Sequence, residues 1–309
     1  MKPKLPIIQG GMAVAVSTGK LAAAVANAGG IGTIAGTGLK VQELIQEIRK
    51  ARETTSGYIG VNVLFAVKEF ADLVLAAMRE KVDFIVSGAG FSRDMFTWGK
   101  EHDVPVIPVV SSDRLAKLAE KLGAAAVVVE GKEAGGHLGT DRPVAEILPE
   151  VRQAVSIPIV AAGGIMDGYD IAAMIKLGAD GVQMGTRFVA STECEAHPAF
   201  KEKYVNSTKD DVVLIESPVG LPGRALRNRF TDLLTSQGKL GIVKCNRCLK
   251  KCSTKYCILD VLRRSVQGDV EDGLVFAGEE VHRIKSILPV QEIMDRLARQ
   301  LEEALASPA

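Results

Sequence analysis

The chain has 309 residues, 47% of them apolar but only 5% aromatic, and a net charge of +1. Balanced charge excludes a global pull toward nucleic acid or an anionic membrane, and no run of about 18 apolar residues exists to span a bilayer. The length suits one large α/β barrel of about 250 residues or more, and a core of Ala, Val, Ile, Leu and Gly suits a parallel sheet buried on both faces. The opening "MKPKLPIIQGG" lacks the apolar segment and cleavage site of a secretory signal, so a cytoplasmic protein is expected.

Apolar runs alternate with amphipathic stretches along the chain. Strands are predicted at 6–10, 31–36, 58–64, 82–88, 104–110, 124–131, 157–164 and 179–185. Between them, "KVQELIQEIRKA" (40–51) and "SSDRLAKLAEKLG" (111–123) repeat apolar residues at helical spacing. Ser111, Ser112 and Asp113 cap the start of the second, and Gly123 stops it. Eight β-α units in series predict a (β/α)8 TIM barrel over residues 1–194. An open Rossmann-type sheet is the alternative, but no G-x-G-x-x-G joins the first strand to its helix. Residues 195–272 read as an inserted lid over one mouth of the barrel. Residues 273–309 read as a returning segment, with a closing amphipathic helix at 289–306.

In such a barrel the loops after the strands form the catalytic face. Glycines collect there: Gly10 and Gly11, Gly88 and Gly90, Gly135 and Gly136, Gly163 and Gly164, and Gly185. One glycine cluster is what any tight turn needs, but five at strand ends on one face point to a ligand against bare backbone. "AAGGI" (161–165) and "MGTRF" (184–188) follow the last two strands, where such barrels bind phosphate. Thr186 would add a hydroxyl and Arg187 a positive charge. His137, in "EAGGHLG" (133–139), supplies a group that exchanges a proton near neutral pH. Its plain alternative is a structural hydrogen-bonding histidine. His102, His197 and His282 read as surface or turn residues.

"PIIQGGM", "AGGIGTIAG", "GVNV", "EGKEAGGHLG", "PIVAAGGI" and "GVQMGTRF" occur in order over residues 5–205, with a weaker echo in "GDVEDGLVFAG" (268–278). Together they resemble the FMN-dependent family that contains nitronate monooxygenases (2-nitropropane dioxygenases) and enoyl-acyl-carrier-protein reductase II. The resemblance implies FMN in a TIM barrel. It sets Gly10, Gly11 and Met12 against the flavin ring, Asn62 as a polar contact, and Glu130 near the ribityl chain. Ala134, Gly135 and Gly136 would make backbone contacts, and Gly163, Gly164, Gly185 and Thr186 would hold the phosphate, with Gln183 beside them. His137 matches the family's functional histidine, the proton acceptor or donor beside the flavin.

"KCNRCLKKCSTKYC" places Cys245, Cys248, Cys252 and Cys257 in a C-x2-C-x3-C-x4-C run, with Cys194 apart. A metal site is expected, since disulfides are unsuited to the cytosol. The compact spacing favours a [4Fe–4S] cluster, with zinc or free thiols as alternatives. Such a site would serve as a staple of the lid or as an electron carrier. The lysines and arginine around it are a solvated face or a dock for an acidic partner, an acyl carrier protein or a coenzyme A thioester.

Two activities fit these residues equally: oxidation of a nitronate, or NAD(P)H-dependent reduction of an enoyl thioester. An NAD(P)H:acceptor oxidoreductase is a third reading, and a non-catalytic flavin or iron–sulfur redox sensor a fourth. The exposed closing helix would suit a homodimer.

Overall fold

Runs such as "IGVNVL" and "VIPVV" are too short for stable helices and rich in β-branched residues, so they extend and pair. The computed structural model describes residues 1–242 and 245–306. Its strands are β1 (Ile7–Gln9), β2 (Gly32–Ala35), β3 (Ile59–Leu64), β4 (Phe84–Gly88), β5 (Val106–Val110), β6 (Val127–Glu130), β7 (Gly136–His137), β8 (Ile159–Ala162), β9 (Gly181–Met184), β10 (Val212–Glu216) and β11 (Pro222–Leu226). Eight of them form a parallel sheet in the order β1-β9-β8-β6-β5-β4-β3-β2. A parallel bridge between Ile8 and Ile31 brings its two ends together, so the sheet curls into a nearly closed TIM-like barrel. All eight strands lie where the sequence predicts them, each trimmed by one to three residues at its ends.

The helices are α1 (Gly19–Asn27), α2 (Val41–Thr54), α3 (Phe70–Arg79), α4 (Asp94–His102), α5 (Asp113–Leu122), α6 (Val144–Ala154), α7 (Gly168–Lys176), α8 (Thr186–Val189), α9 (Pro198–Val205), α10 (Arg229–Gln237), α11 (Ile258–Val266) and α12 (Val290–Ala306). The expected caps of α5 are present: Ser112 Oγ accepts from Leu115 N–H, and Gly123 ends the helix at φ 96°. The closing helix α12 packs between α7 and α1. Its approach is so close that a side chain on Gly168 would lie 2.4 Å from the Leu297 carbonyl. None of the described helices is long and apolar enough to cross a membrane.

Apolar side chains form two layers. Ile8, Phe84, Val86, Ile107, Val128 and Val160 fill the barrel interior, and the larger cluster lies between strands and helices. Phe84 compensates for a core poor in aromatics: its ring fills the space over Gly60, where a Cβ would sit 2.3 Å away.

The seam between β1 and β2 carries a single bridge, in which Gln9 N–H donates to Ile31 O and Ile31 N–H to Ile7 O, both at 2.9 Å. The Gln9 side chain, fully buried, supplies further bonds. Its Nε2 donates to Thr33 O at 3.2 Å and Ser17 Oγ at 2.9 Å, and its Oε1 accepts from Thr33 N–H at 3.2 Å. A buried donor or acceptor left unmade costs about 1–3 kcal/mol. Gln9→Leu, similar in shape, is therefore expected to destabilise the protein by roughly 2–3 kcal/mol, read from denaturant unfolding. An unchanged midpoint would show that the seam closes without the amide.

Candidate active site

The strands end on one face around a cavity of about 260 Å³. Its wall contains Gly10, Gly11, Met12, Asn62, Glu130, Ala134, Gly135, Gly136, His137, Gly163, Gly164, Gln183, Gly185 and Thr186, so the fold gathers every residue that the resemblance assigns to the flavin and its histidine. The register explains the meeting: Gln183 on β9 pairs with Ile8 on β1, and Ala162 on β8 pairs with both Gln183 and Glu130.

Bare backbone is required in this wall. A Cβ on Gly11 would sit 2.3 Å from Asn62 Cβ, and one on Gly135 would lie 2.6 Å from the Ala277 carbonyl carbon. Gly163 and Gly164 have φ of 113° and 71°, a turn that side chains with a Cβ resist. The wall also carries an unspent polar atom, since Gln183 Oε1 is buried without a partner. Thr186 Oγ1 accepts from Gly278 N–H at 3.0 Å, which ties the returning segment to the end of β9. Glu130 faces the cavity away from bulk water, and burial pushes its carboxyl up to about 8. It therefore carries a proton at neutral pH and can donate a hydrogen bond.

His137 is held from an unexpected side. The sequence suggests a loop after β6, but Gly136 and His137 form a strand of their own, β7, paired antiparallel with β11. A three-stranded sheet, β10-β11-β7, thus roofs the barrel mouth. Its middle strand belongs to the segment read as the lid. Phe276 lies edge-on to the imidazole at 5.2 Å, and Nε2 lies 2.8 Å from Ser217 Oγ. Burial depresses the imidazole to about 4, so His137 is neutral near pH 7.

Several residues of the site have no sequence signal. Ser217 opens an ordinary-looking "SPVG" turn. Glu133 lines the cavity and accepts from Val144 N–H at 3.1 Å. Arg224, buried on β11, reaches Lys132 O at 2.7 Å. Arg187 corrects an expectation: its guanidinium is buried and donates to the Ala190 and Ser286 carbonyls at 2.9 and 3.0 Å. It braces the chain after β9 and does not line the cavity.

The cysteine segment also departs from expectation. Among the described residues, no three His, Cys, Asp or Glu side chains gather into a group able to hold a metal. The predicted [4Fe–4S] or zinc site of Cys245, Cys248, Cys252 and Cys257 is therefore not supported by the arrangement of these residues. Short spacing along the chain does not make sulfurs converge, and three of these four sulfurs are engaged locally. Cys245 Sγ accepts from Arg247 N–H at 3.3 Å, Cys252 Sγ from Thr254 N–H at 3.4 Å, and Cys257 Sγ from Asn246 Nδ2 at 3.1 Å. Cys248 is in the cavity wall, and burial, with Cys257 beside it, pushes its thiol up to about 11.

A family model described as "Nitronate monooxygenase" matches residues 1–83 and 72–300. A "probable nitronate monooxygenase" of Staphylococcus aureus is 30% identical, the match covering 97% of this chain and 95% of that protein. The (3aS,4S,5R,7aS)-5-hydroxy-7a-methyl-1-oxo-octahydro-1H-indene-4-carboxyl-CoA dehydrogenase of Mycobacterium tuberculosis is 35% identical over 236 residues. That match covers 75% of this chain and 65% of the mycobacterial protein, just under two thirds of its length. Among structures, FabK from Thermotoga maritima superposes with a TM-score of 0.87 at 36% identity, covering 98% of this chain and 94% of that one. A nitroalkane oxidase from Streptomyces ansochromogenes gives 0.85 at 28% identity, covering 98% and 97%.

The depressed imidazole makes a stability prediction. The unfolded chain protonates His137 near pH 6.5 and the folded chain only near 4, so stability is lost as pH falls through that window. His137→Gln should flatten the loss of Tm between about pH 6.5 and 4. An equally steep curve in the variant would show that the folded imidazole titrates normally.

Proposed function

The chain belongs to the nitronate monooxygenase family of FMN-dependent oxidoreductases, and on that footing we propose that it oxidises an alkyl nitronate at the glycine-lined cavity, with His137 as the proton acceptor or donor. The observation that carries this reading is the neutral imidazole in the wall of a cavity whose backbone is bare. When bound, FMN supplies an acceptor of one or two electrons. The residues fit it. Gly163, Gly164, Gly185 and Thr186 would hold its phosphate, where a side chain on Gly164 would crowd Glu133 at 3.2 Å. The unpartnered Gln183 Oε1, the neutral Glu130 and Asn62 would meet its polar edges. Gly10, Gly11, Met12 and the 134–136 backbone would lie along its ring.

The chain's own chemistry then rests on His137. A neutral imidazole offers one N–H and one lone pair, so it serves a proton at the substrate without placing a second cation in the cavity. The segment 195–272 acts as a lid in this reading, with Phe200, Tyr204 and Val219 in the cavity wall. The cysteine run contributes Cys248 and Leu249 to that wall as apolar cover.

A second reading, reduction of an enoyl thioester with NAD(P)H, is favoured by one feature. Val67, Leu249, Ile258, Leu259, Leu262 and Val266 make an apolar arm of the cavity, more than a small nitronate needs and suited to an acyl chain carried by coenzyme A or a carrier protein.

An anaerobic half-reaction separates the two. Rapid bleaching of the flavin band by an alkyl nitronate, with little bleaching by NADH or NADPH, is the expected result. Bleaching by NAD(P)H followed by recovery on adding an enoyl thioester would establish the reductase instead. On whichever substrate turns over, His137→Ala should keep its FMN and lose about 10²–10⁴-fold in kcat. Full activity in that variant would remove His137 from the chemistry.

A further inference from the structure

His137 is not held by its own strand alone. Its Nε2 lies 2.8 Å from Ser217 Oγ, and Nδ1 has no hydrogen bond among the described residues. Ser217 is buried and fixed in a tight turn. Its N–H donates to Leu221 O at 3.2 Å, its carbonyl accepts from Gly220 N–H at 3.0 Å, and its Oγ accepts from Val219 N–H at 3.3 Å.

Behind Ser217 is Tyr256, among the largest fully buried side chains of the protein. The side chain that its hydroxyl meets is Ser217, short of full hydrogen-bond geometry, and the hydroxyl has no other partner. Tyr256 is set there by the cysteine segment. Its ring is edge-on to Phe230 at 5.1 Å, Lys255 O accepts from Leu240 N–H at 2.9 Å, and Ser253 N–H donates to Pro218 O at 3.1 Å. The last bond stitches the segment directly to the Ser217 turn.

Counting protons along this line gives a direction. The Val219 N–H takes one lone pair of Ser217 Oγ. Were His137 to donate Nε2–H to Ser217, the serine proton would have only the Tyr256 oxygen to turn to, which stands short of hydrogen-bond geometry. The buried serine proton would then go without an acceptor, which buried hydroxyls avoid. In the opposite sense Ser217 donates to Nε2, its proton is accepted, and its remaining lone pair is turned toward the Tyr256 hydroxyl. We infer that Ser217 and Tyr256 are positioning residues that hold His137 in the Nδ1–H tautomer, presenting a donor to the cavity.

This rests on the reading of His137 as the working residue of the cavity, and it narrows the substrate class of that site. An Nδ1–H donor suits a substrate that arrives with an oxyanion, such as a nitronate. It does not suit a neutral nitroalkane whose carbon must first lose a proton to a base, because the basic nitrogen is turned away toward Ser217.

The test reads the tautomer directly. In FMN-loaded protein labelled with ¹⁵N-histidine, long-range ¹H–¹⁵N couplings distinguish Nδ1–H from Nε2–H, and His137→Gln assigns the signal among the four histidines. The wild type should show Nδ1–H. Ser217→Ala and Tyr256→Phe should each shift the signal toward Nε2–H or an exchanging mixture, and Ser217→Thr should restore it. The same Ser217→Ala protein should lose about 10-fold or more in kcat with KM little changed, and Tyr256→Phe somewhat less. An Nε2–H signal in the wild type, or an unmoved Nδ1–H signal in both variants, would overturn the inference. The tautomer does not depend on turnover. If it moves as expected while His137→Gln remains fully active, the hydrogen-bonded line stands and the catalytic reading of His137 falls.

Discussion

Closure of the parallel sheet is the constraint on which the site depends. Residues far apart in sequence share the cavity wall only because β1 returns to meet β2. That seam has one isolated bridge, Ile8 to Ile31, and is completed by the Gln9 amide. A buried amide with both ends satisfied is strong in a low-dielectric interior. It also fixes the direction in which the chain leaves β1, into Gly10 and Gly11. The cavity-facing backbone is thus an extension of the seam.

The mouth is built on a second principle. A loop after a barrel strand has no ladder partner of its own, and a side chain carried on it would ordinarily be poorly held. Here the loop becomes β7 and borrows β11 as its partner. The segment that covers the cavity and the segment that orients the histidine are therefore one. Displacing β11 would therefore disturb the placement of the His137 imidazole.

The four cysteines show how spacing can mislead. A C-x2-C-x3-C-x4-C run is chemically compact, but ligation needs sulfurs that converge. Among the described residues no such group forms; backbone and amide N–H groups donate to three sulfurs, and the fourth lies in the cavity wall. What the run does contribute is positional. It carries Tyr256 to the rear of Ser217 and Leu249 to the apolar arm.

The sequence by itself determined the barrel and its polarity. Periodicity marks strands and helices locally, and glycine at a strand end is a local signature of backbone that a ligand or a neighbouring segment must approach. For that reason Gly10, Gly11, Gly163 and Gly164 are legible as bare backbone in the sequence alone. Only the tertiary structure decided what surrounds His137. Ser217 lies 80 residues away from it, in a turn that no periodicity distinguishes, and Tyr256 sits in a motif that reads as metal chemistry. Glu130 and His137 owe their protonation states to burial by segments that meet only in the fold. Desolvation is a property of the assembled cavity, and no single stretch of chain encodes it.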